Sequence, residues 1–301
     1  YKYGRDLYEY EKYGYLSDNV RNGSSKSLEY AYDDYCVAQV AGALDLEDDR
    51  ERYAARSGSW LHLFDPGTRF FWAKDTEGNW RPGFSPVFRR PDYWNGPYFY
   101  EGTPWNYATY VPHDMHRLIA EHGGPEQFKA FLDELFDGGY YEIGNEPGFL
   151  TPYLYHYAGR PDCSAERVRD LLDEFRTGRR GLPGQDDSGA MSAWFVFGSM
   201  GFFPVAGQDV YLIGTPLFTR STLMLENGRR FTVTAPNTSR ANKYVCGARL
   251  NGKKWDRCWF THADLIRGGG LVLEMGPVPS DWGTKSPPPS LSDTSKSNVT
   301  E

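Results

Sequence analysis

The spacing of apolar positions changes once along this chain, just after Pro204. Before it, apolar residues recur every three to four positions, the spacing of amphipathic helices. The first helix is expected over residues 27–44, with Ser27 as its cap and Leu28, Ala31, Tyr35, Ala38 and Ala41 on one face. Further helices are expected over 48–63, 106–122, 125–136, 148–157, 164–175 and 189–200, with Pro125 placed in a first helical turn. Between the second and third lies a long irregular stretch, 65–103, rich in Gly and Pro and carrying Trp72, Trp80 and Trp94. Loops of that length inside a compact domain are usually functional. After Pro204 the pattern becomes short and alternating: Val210–Ile213, Ser221–Leu225, Arg230–Thr234, Lys243–Cys246 and Leu271–Met275. Turn signals at Asn227-Gly228, Asn251-Gly252 and Gly268–Gly270 separate them, as in an all-β module. Composition turns Pro-, Ser- and Lys-rich near Thr284, which predicts a disordered tail over 284–301.

Composition narrows the function classes. The chain has 301 residues, enough for a sizeable core, and a net charge of −7 with both signs mixed along it. No basic patch stands out, which argues against a nucleic-acid partner. No apolar run reaches membrane-spanning length. The 22 Tyr and 9 Trp supply flat apolar faces with polar rims, suited both to core packing and to sugar rings. The four cysteines, Cys36, Cys163, Cys246 and Cys258, lack metal-ligand spacing, although Cys246 and Cys258 are placed to pair across a hairpin. The chain opens on Tyr1 with no signal peptide, which reads as a processed piece or a fragment. Sequons at Asn22, Asn237 and Asn298 favour a secreted or periplasmic location and leave a cytoplasmic one open.

Three segments concentrate chemistry. In Leu182-Pro-Gly-Gln-Asp186-Asp187-Ser-Gly189, two adjacent carboxylates stand in a Gly/Pro-flanked loop ahead of an apolar helix. Acid/base catalysis, hard-cation binding and simple helix capping all fit that pattern. Glu101 lies among aromatics in Tyr98-Phe-Tyr-Glu-Gly-Thr-Pro-Trp105-Asn106-Tyr107. Apolar surroundings raise a carboxyl pKa, the device that keeps a glycosidase general acid protonated; a glutamate at a helix start is the plainer alternative. In Gly144-Asn145-Glu146-Pro147, an amide carbonyl and a carboxylate offer hard oxygen ligands for calcium, or simply make a turn. His113-Asp114 fits an orienting pair, a binder of sugar hydroxyls or a helix cap. Asp33 and Asp34 read as a solvated helix face, and His262 as a structural histidine in a hairpin loop. No nucleophile elbow, phosphate loop or His-Glu-x-x-His occurs.

Taken together, these stretches resemble glycoside hydrolase family 92, the calcium-dependent exo-α-mannosidases. The resemblance rests on Leu28-Glu-Tyr-Ala-Tyr-Asp-Asp34, Glu101-Gly-Thr-Pro-Trp105-Asn-Tyr107, Val111-Pro-His-Asp114 and Gly144-Asn-Glu-Pro147. It continues through Tyr153-Leu-Tyr-His-Tyr-Ala-Gly159, Gly184-Gln-Asp-Asp-Ser-Gly-Ala-Met-Ser-Ala-Trp194 and Gly201-Phe-Phe-Pro204, ending at Thr261-His262 and Met275-Gly276. It implies a mainly α fold with a β module: the later part of an (α/α)6 barrel over 1–205 and a small β-sandwich-like region over 206–283. It also implies that an N-terminal β-sandwich and the early barrel helices belong to a longer protein. A non-catalytic, sugar-binding piece and another (α/α)6 glycosidase acting on α-glucosides remain as alternatives.

By this resemblance the enzyme removes terminal α-linked mannose from oligosaccharides or glycoprotein glycans, with inversion. Inversion uses one carboxyl to protonate the leaving oxygen and another to activate water, roughly 6.5–9.5 Å apart. Glu101 resembles the general acid, Asp187 the general base and Asp186 its helper. Trp105, Asn106, His113 and Asp114 resemble substrate contacts. Asn145 and Glu146 resemble ligands of a Ca2+ that grips mannose hydroxyls and helps distort the ring. Two positions depart from the family pattern: Gln185 stands where Asn or Asp is common, and Asn106 where Gln is usual. Glu101 is retained, which favours ordinary mannosides over mannosyl phosphodiesters.

Overall fold

The computed structural model describes residues 6–87 and 96–294 of the chain. Trp94 and the sequon at Asn298 lie outside the described residues. The protein mixes α and β structure and packs as two compact units: Tyr1–Gly124 with Asp133–Glu142, and Pro125–Leu132 with Ile143–Glu301. This division differs from the change of pattern near residue 205, because the helices after Ile143 pack with the β module.

The first unit is built on α1 (Leu7–Tyr13), α2 (Gly23–Ala43) and α3 (Glu47–Arg56). Helix α2 buries Leu28, Ala31, Ala38 and Ala41 on one face, as its spacing predicts. It begins four residues before Ser27, whose hydroxyl instead donates back to Gly23 O at 2.7 Å inside the helix. Asp34 is not solvated. It is buried, receives Arg56 Nε and Nη2 at 2.6 Å each, and accepts Tyr10 Oη at 3.1 Å. One carboxylate therefore ties together α1, α2 and α3, a geometry that matches the guanidinium fork. A 3₁₀ segment, Ser57–Leu63, leads into the small ladder β1 (Phe64–Asp65) with β2 (Phe70–Phe71).

The single helix expected over 106–122 is two: α4 (Pro104–Tyr107) and α5 (Met115–Glu121). Pro112 between them has no N–H to continue the ladder. Helix α6 (Pro125–Asp137) starts on its proline as expected. Residues 148–157 do not form an α-helix but two 3₁₀ turns, Glu146–Gly148 and Thr151–His156, each with a proline in its first turn. Pro152 in a continuous α-helix would clash with the carbonyl four residues earlier. Helices α7 (Pro161–Leu172) and α8 (Ala190–Met200) complete the helical part of the second unit.

The β module holds two sheets. One is antiparallel, ordered β3 (Phe202–Pro204), β4 (Tyr211–Ile213), β9 (Trp259–Phe260). The other has the order β5 (Arg220–Met224), β6 (Arg230–Thr234), β10 (Gly269–Gly276), β7 (Tyr244–Leu250), β8 (Lys253–Lys254). Asn227-Gly228 and Asn251-Gly252 turn the β5–β6 and β7–β8 hairpins, while β6 and β10 run parallel. The alternation puts Phe231, Val233, Leu271, Leu273, Ala248 and Leu250 inside. Phe231 of the larger sheet meets Phe260 of the smaller at 5.5 Å, and Phe260 meets Phe202 at 5.5 Å. A short helix, α9 (His262–Ile266), carries His262, which accepts or donates to Tyr211 Oη at 2.8 Å.

Polar groups fasten the helices of this unit to its strands. His156 is fully buried, contacts Ile213 O through Nε2 at 2.8 Å and Ser164 Oγ through Nδ1 at 2.9 Å, and burial depresses its pKa to about 4. Arg169 of α7 donates to Thr215 Oγ1, Pro216 O and Thr238 Oγ1. The expected disordered tail is ordered at its start: Ser286 O and Pro287 O accept from Cys258 Sγ and Trp259 Nε1, and α10 (Leu291–Thr294) follows. The first of these carbonyls meets a buried thiol. All four thiols are free, Cys258 buried and Cys246 exposed, so the hairpin disulfide is absent. Among the described residues no helix is long and apolar enough to cross a membrane.

Candidate active site

In the first unit, Glu101 is half-buried between exposed Tyr100 and buried Gly102, and takes φ +50°. That is the left-handed region, which side chains other than Gly enter at a cost of roughly 1–3 kcal/mol and which clusters at functional sites. The turn is held from both sides. Tyr100 N–H donates to Ser25 Oγ at 3.1 Å, and Tyr100 O lies 2.9 Å from Tyr107 Oη. Gly102 lies flat on the Tyr107 ring, where a Cβ would come within 2.9 Å of Cε2. Any larger residue there would push the turn off α4.

The neighbours of Glu101 with expected sugar contacts are buried. Asn106 closes a capping box: its Oδ1 accepts Thr103 N–H at 3.0 Å and its own N–H reaches Thr103 Oγ1 at 3.4 Å. Trp105 stacks on Tyr140 with ring centroids 4.6 Å apart and meets Phe70 edge-on. His113 is 1% exposed; its Nε2 pairs with Ser57 O at 3.0 Å and its ring stacks on Tyr32. Burial pushes its pKa down to about 4, so the ring is neutral at pH 7. Asp114, also buried, stands at the N-cap of α5. Spacing alone does not single out Glu29, half-buried on α2, whose Oε1 lies 3.0 Å from Tyr107 Oη. Burial raises its carboxyl pKa, opposed by the Tyr107 hydrogen bond and helped by the nearby charges of Asp33 and Glu101.

The second unit brings two of the predicted segments together. Gly184 lies against Gly144 so closely that a Cβ would come 2.2 Å from Gly144 O, and Gln185 N–H points to that same carbonyl at 3.4 Å. Only glycine permits this backbone-on-backbone contact. It sets Asn145 and Glu146 beside the loop carrying Asp186 and Asp187. Trp194 of α8 donates through Nε1 to Phe149 O at 2.9 Å, pinning the helix behind that loop to the turn that begins at Glu146.

The two aspartates differ. Asp186 accepts both the N–H of Ser192 at 2.8 Å and its hydroxyl at 2.7 Å. These bonds favour its charged form and hold its pKa below the usual carboxylate range. Asp187, one residue on, is exposed, and among the described residues no hydrogen bond or ion pair engages its carboxylate. The next residue, Ser188, takes φ +53° and turns the chain into α8. Asn145 is buried at 5% exposure, and Glu146 Oε1 is a buried carboxylate oxygen that meets no donor among the described residues. Nor do the described residues contain a cluster of three or more His, Cys, Asp or Glu that would form a metal cage. A groove of about 450 Å³ on the β module, with Arg249, Lys254, Glu274 and Trp282 on its walls, holds none of these residues.

A model of the glycosyl hydrolase family 92 catalytic domain matches residues 1–277. The chain belongs to glycosyl hydrolase family 92. Similar proteins point the same way. An uncharacterized secreted glycosidase of Arthroderma benhamiae is 38% identical over 93% of this chain. The structure of a family 92 inverting mannosidase from Bacteroides thetaiotaomicron superposes with a TM-score of 0.87 at 34% identity, over 95% of this chain. That of a family 92 α-mannosidase from the same organism, in complex with mannoimidazole, does so with a TM-score of 0.88 at 36% identity, also over 95%. The chain spans 39%, 42% and 40% of the respective lengths of these three proteins.

Proposed function

We propose that this family 92 chain carries the catalytic carboxylates of an exo-acting, inverting α-mannosidase, within the later part of an (α/α)6 barrel and its C-terminal β region. Glu101 is the general acid: its proton goes to the glycosidic oxygen as the bond to the mannose C1 breaks. Asp187 is the general base: it takes a proton from the water that attacks C1 from the opposite face. The observation that carries this reading is the contrast in the Asp186-Asp187 loop. One carboxylate is held by Ser192 and organises the loop, and the next is exposed and unengaged, as a group that must meet water requires. Trp105, Asn106, His113 and Asp114 are the substrate contacts of this reading, with little surface each to offer sugar hydroxyls. The names of the relatives support mannose as the sugar and a secreted location, with mannose-containing glycans as the substrate class.

The donors of the second unit suit a calcium ion. The buried, donor-free Oε1 of Glu146 beside the buried amide of Asn145 supplies hard oxygen ligands, and the orphaned oxygen is the kind of group a cation satisfies. When bound, Ca2+ would fix mannose hydroxyls and favour a distorted ring. The full-length protein that contains this chain is expected to cleave α-1,2-, α-1,3- or α-1,6-mannobiose and to lose at least ~10-fold in rate in excess chelator, with recovery on adding calcium. Full activity in chelator removes calcium from the scheme. Cleavage of α-glucosides but not α-mannosides overturns the substrate assignment.

A further inference from the structure

The Tyr107 hydroxyl lies against two acceptors, Glu29 Oε1 at 3.0 Å and the Tyr100 carbonyl at 2.9 Å. A tyrosine hydroxyl has one proton to give. Tyr107 is fully buried, so no water reaches its hydroxyl. Ser25, the adjacent hydroxyl, directs its proton to Asn22 O at 3.1 Å and accepts from Tyr100 N–H. The missing hydrogen is supplied if the Glu29 carboxyl itself carries it: its O–H donates to Tyr107 Oη, and Tyr107 donates to Tyr100 O. Each of the two Tyr107 contacts then carries a hydrogen. The carbonyl at the end of this relay belongs to the peptide unit that enters the left-handed turn of Glu101.

We propose that Glu29 is a positioning residue for the general acid: protonated, it donates to Tyr107 and through it fixes the Tyr100–Glu101 peptide, which presents the Glu101 carboxyl. This rests on the reading of Glu101 as the acid. The surroundings of Glu29 agree with it. Glu101, Asp33, Tyr107 and Tyr110 all face it with negative or neutral groups, and Lys26, on its own helix, is the cation set against them. Burial, then the charges of Asp33 and Glu101, raise the pKa of Glu29 against the lowering pull of the Tyr107 contact and Lys26, and the net direction is upward.

The test compares two substrates in the full-length protein that contains this chain: α-mannobiose, whose leaving group needs a proton, and an α-mannoside of an acidic dinitrophenol, which does not. Glu29→Ala and Tyr107→Phe are expected to lower kcat/KM on mannobiose by ~10–100-fold and on the aryl mannoside by less than about 3-fold. Glu29→Gln, whose amide N–H donates to Tyr107 as the carboxyl O–H did, is expected to stay within about 3-fold of the parent on both. Equal losses on both substrates for Glu29→Ala, as a folding defect gives, overturn the proposal. So does a Glu29→Gln variant as impaired as Glu29→Ala. Failure of the underlying reading is seen separately: Glu101→Gln then loses equally on both substrates, whatever Glu29 does.

Discussion

Glu101→Gln is expected to lower kcat/KM for α-linked mannobioses by about 10²–10⁴-fold while leaving cleavage of a dinitrophenyl α-mannoside within several-fold of the parent. The amide keeps the shape of the side chain and the left-handed turn at residue 101 but has no acidic proton to deliver. A sugar leaving group departs as a strongly basic alkoxide unless it is protonated, whereas a dinitrophenolate leaves unaided. The ratio of the two losses therefore decides, and it is insensitive to the fraction of protein correctly folded. Comparable losses on both substrates would assign Glu101 a role other than proton donor.

The second large effect has the opposite signature. Asp187→Asn is expected to lower kcat/KM by about 10²–10⁴-fold on both substrates alike, because the attacking water needs its base whatever the leaving group. Asp186→Asn is expected to be much milder: the amide oxygen still accepts the Ser192 N–H, so the loop keeps its shape. Steady-state kinetics of the two variants side by side checks this order. If Asp186→Asn is the more damaging, the base belongs one residue earlier and Asp187 is the helper.

Legibility in the sequence follows how local each feature is. The strands of the β module are legible, since alternation and the Asn227-Gly228 and Asn251-Gly252 turns act over a few residues. So are α6 and α8, which open on Pro125 and just after Gly189. The break between α4 and α5 escapes the periodicity because apolar spacing runs on through 108–114, although Pro112 signals it. The burial of Asp34 is not legible, because its partner Arg56 arrives from another helix. The same holds at the site. Asp186, Asp187, Asn145 and Glu146 stand out as loop acids and amides, but the contact of Gly184 on Gly144 that makes them neighbours is tertiary. In the sequence Glu29 is one more helix glutamate, and only the fold sets its oxygen against Tyr107.

The central claim is that two carboxylates act by single displacement at mannose C1, and the anomer of the sugar first released tests it most directly. Proton NMR of α-mannobiose hydrolysis by the full-length protein that contains this chain, recorded in the first minutes before mutarotation, is predicted to show β-mannopyranose appearing first and α-mannopyranose growing in later. α-Mannopyranose appearing first would mean a covalent intermediate and two displacements, and would contradict Glu101 as general acid and Asp187 as general base of an inverting enzyme.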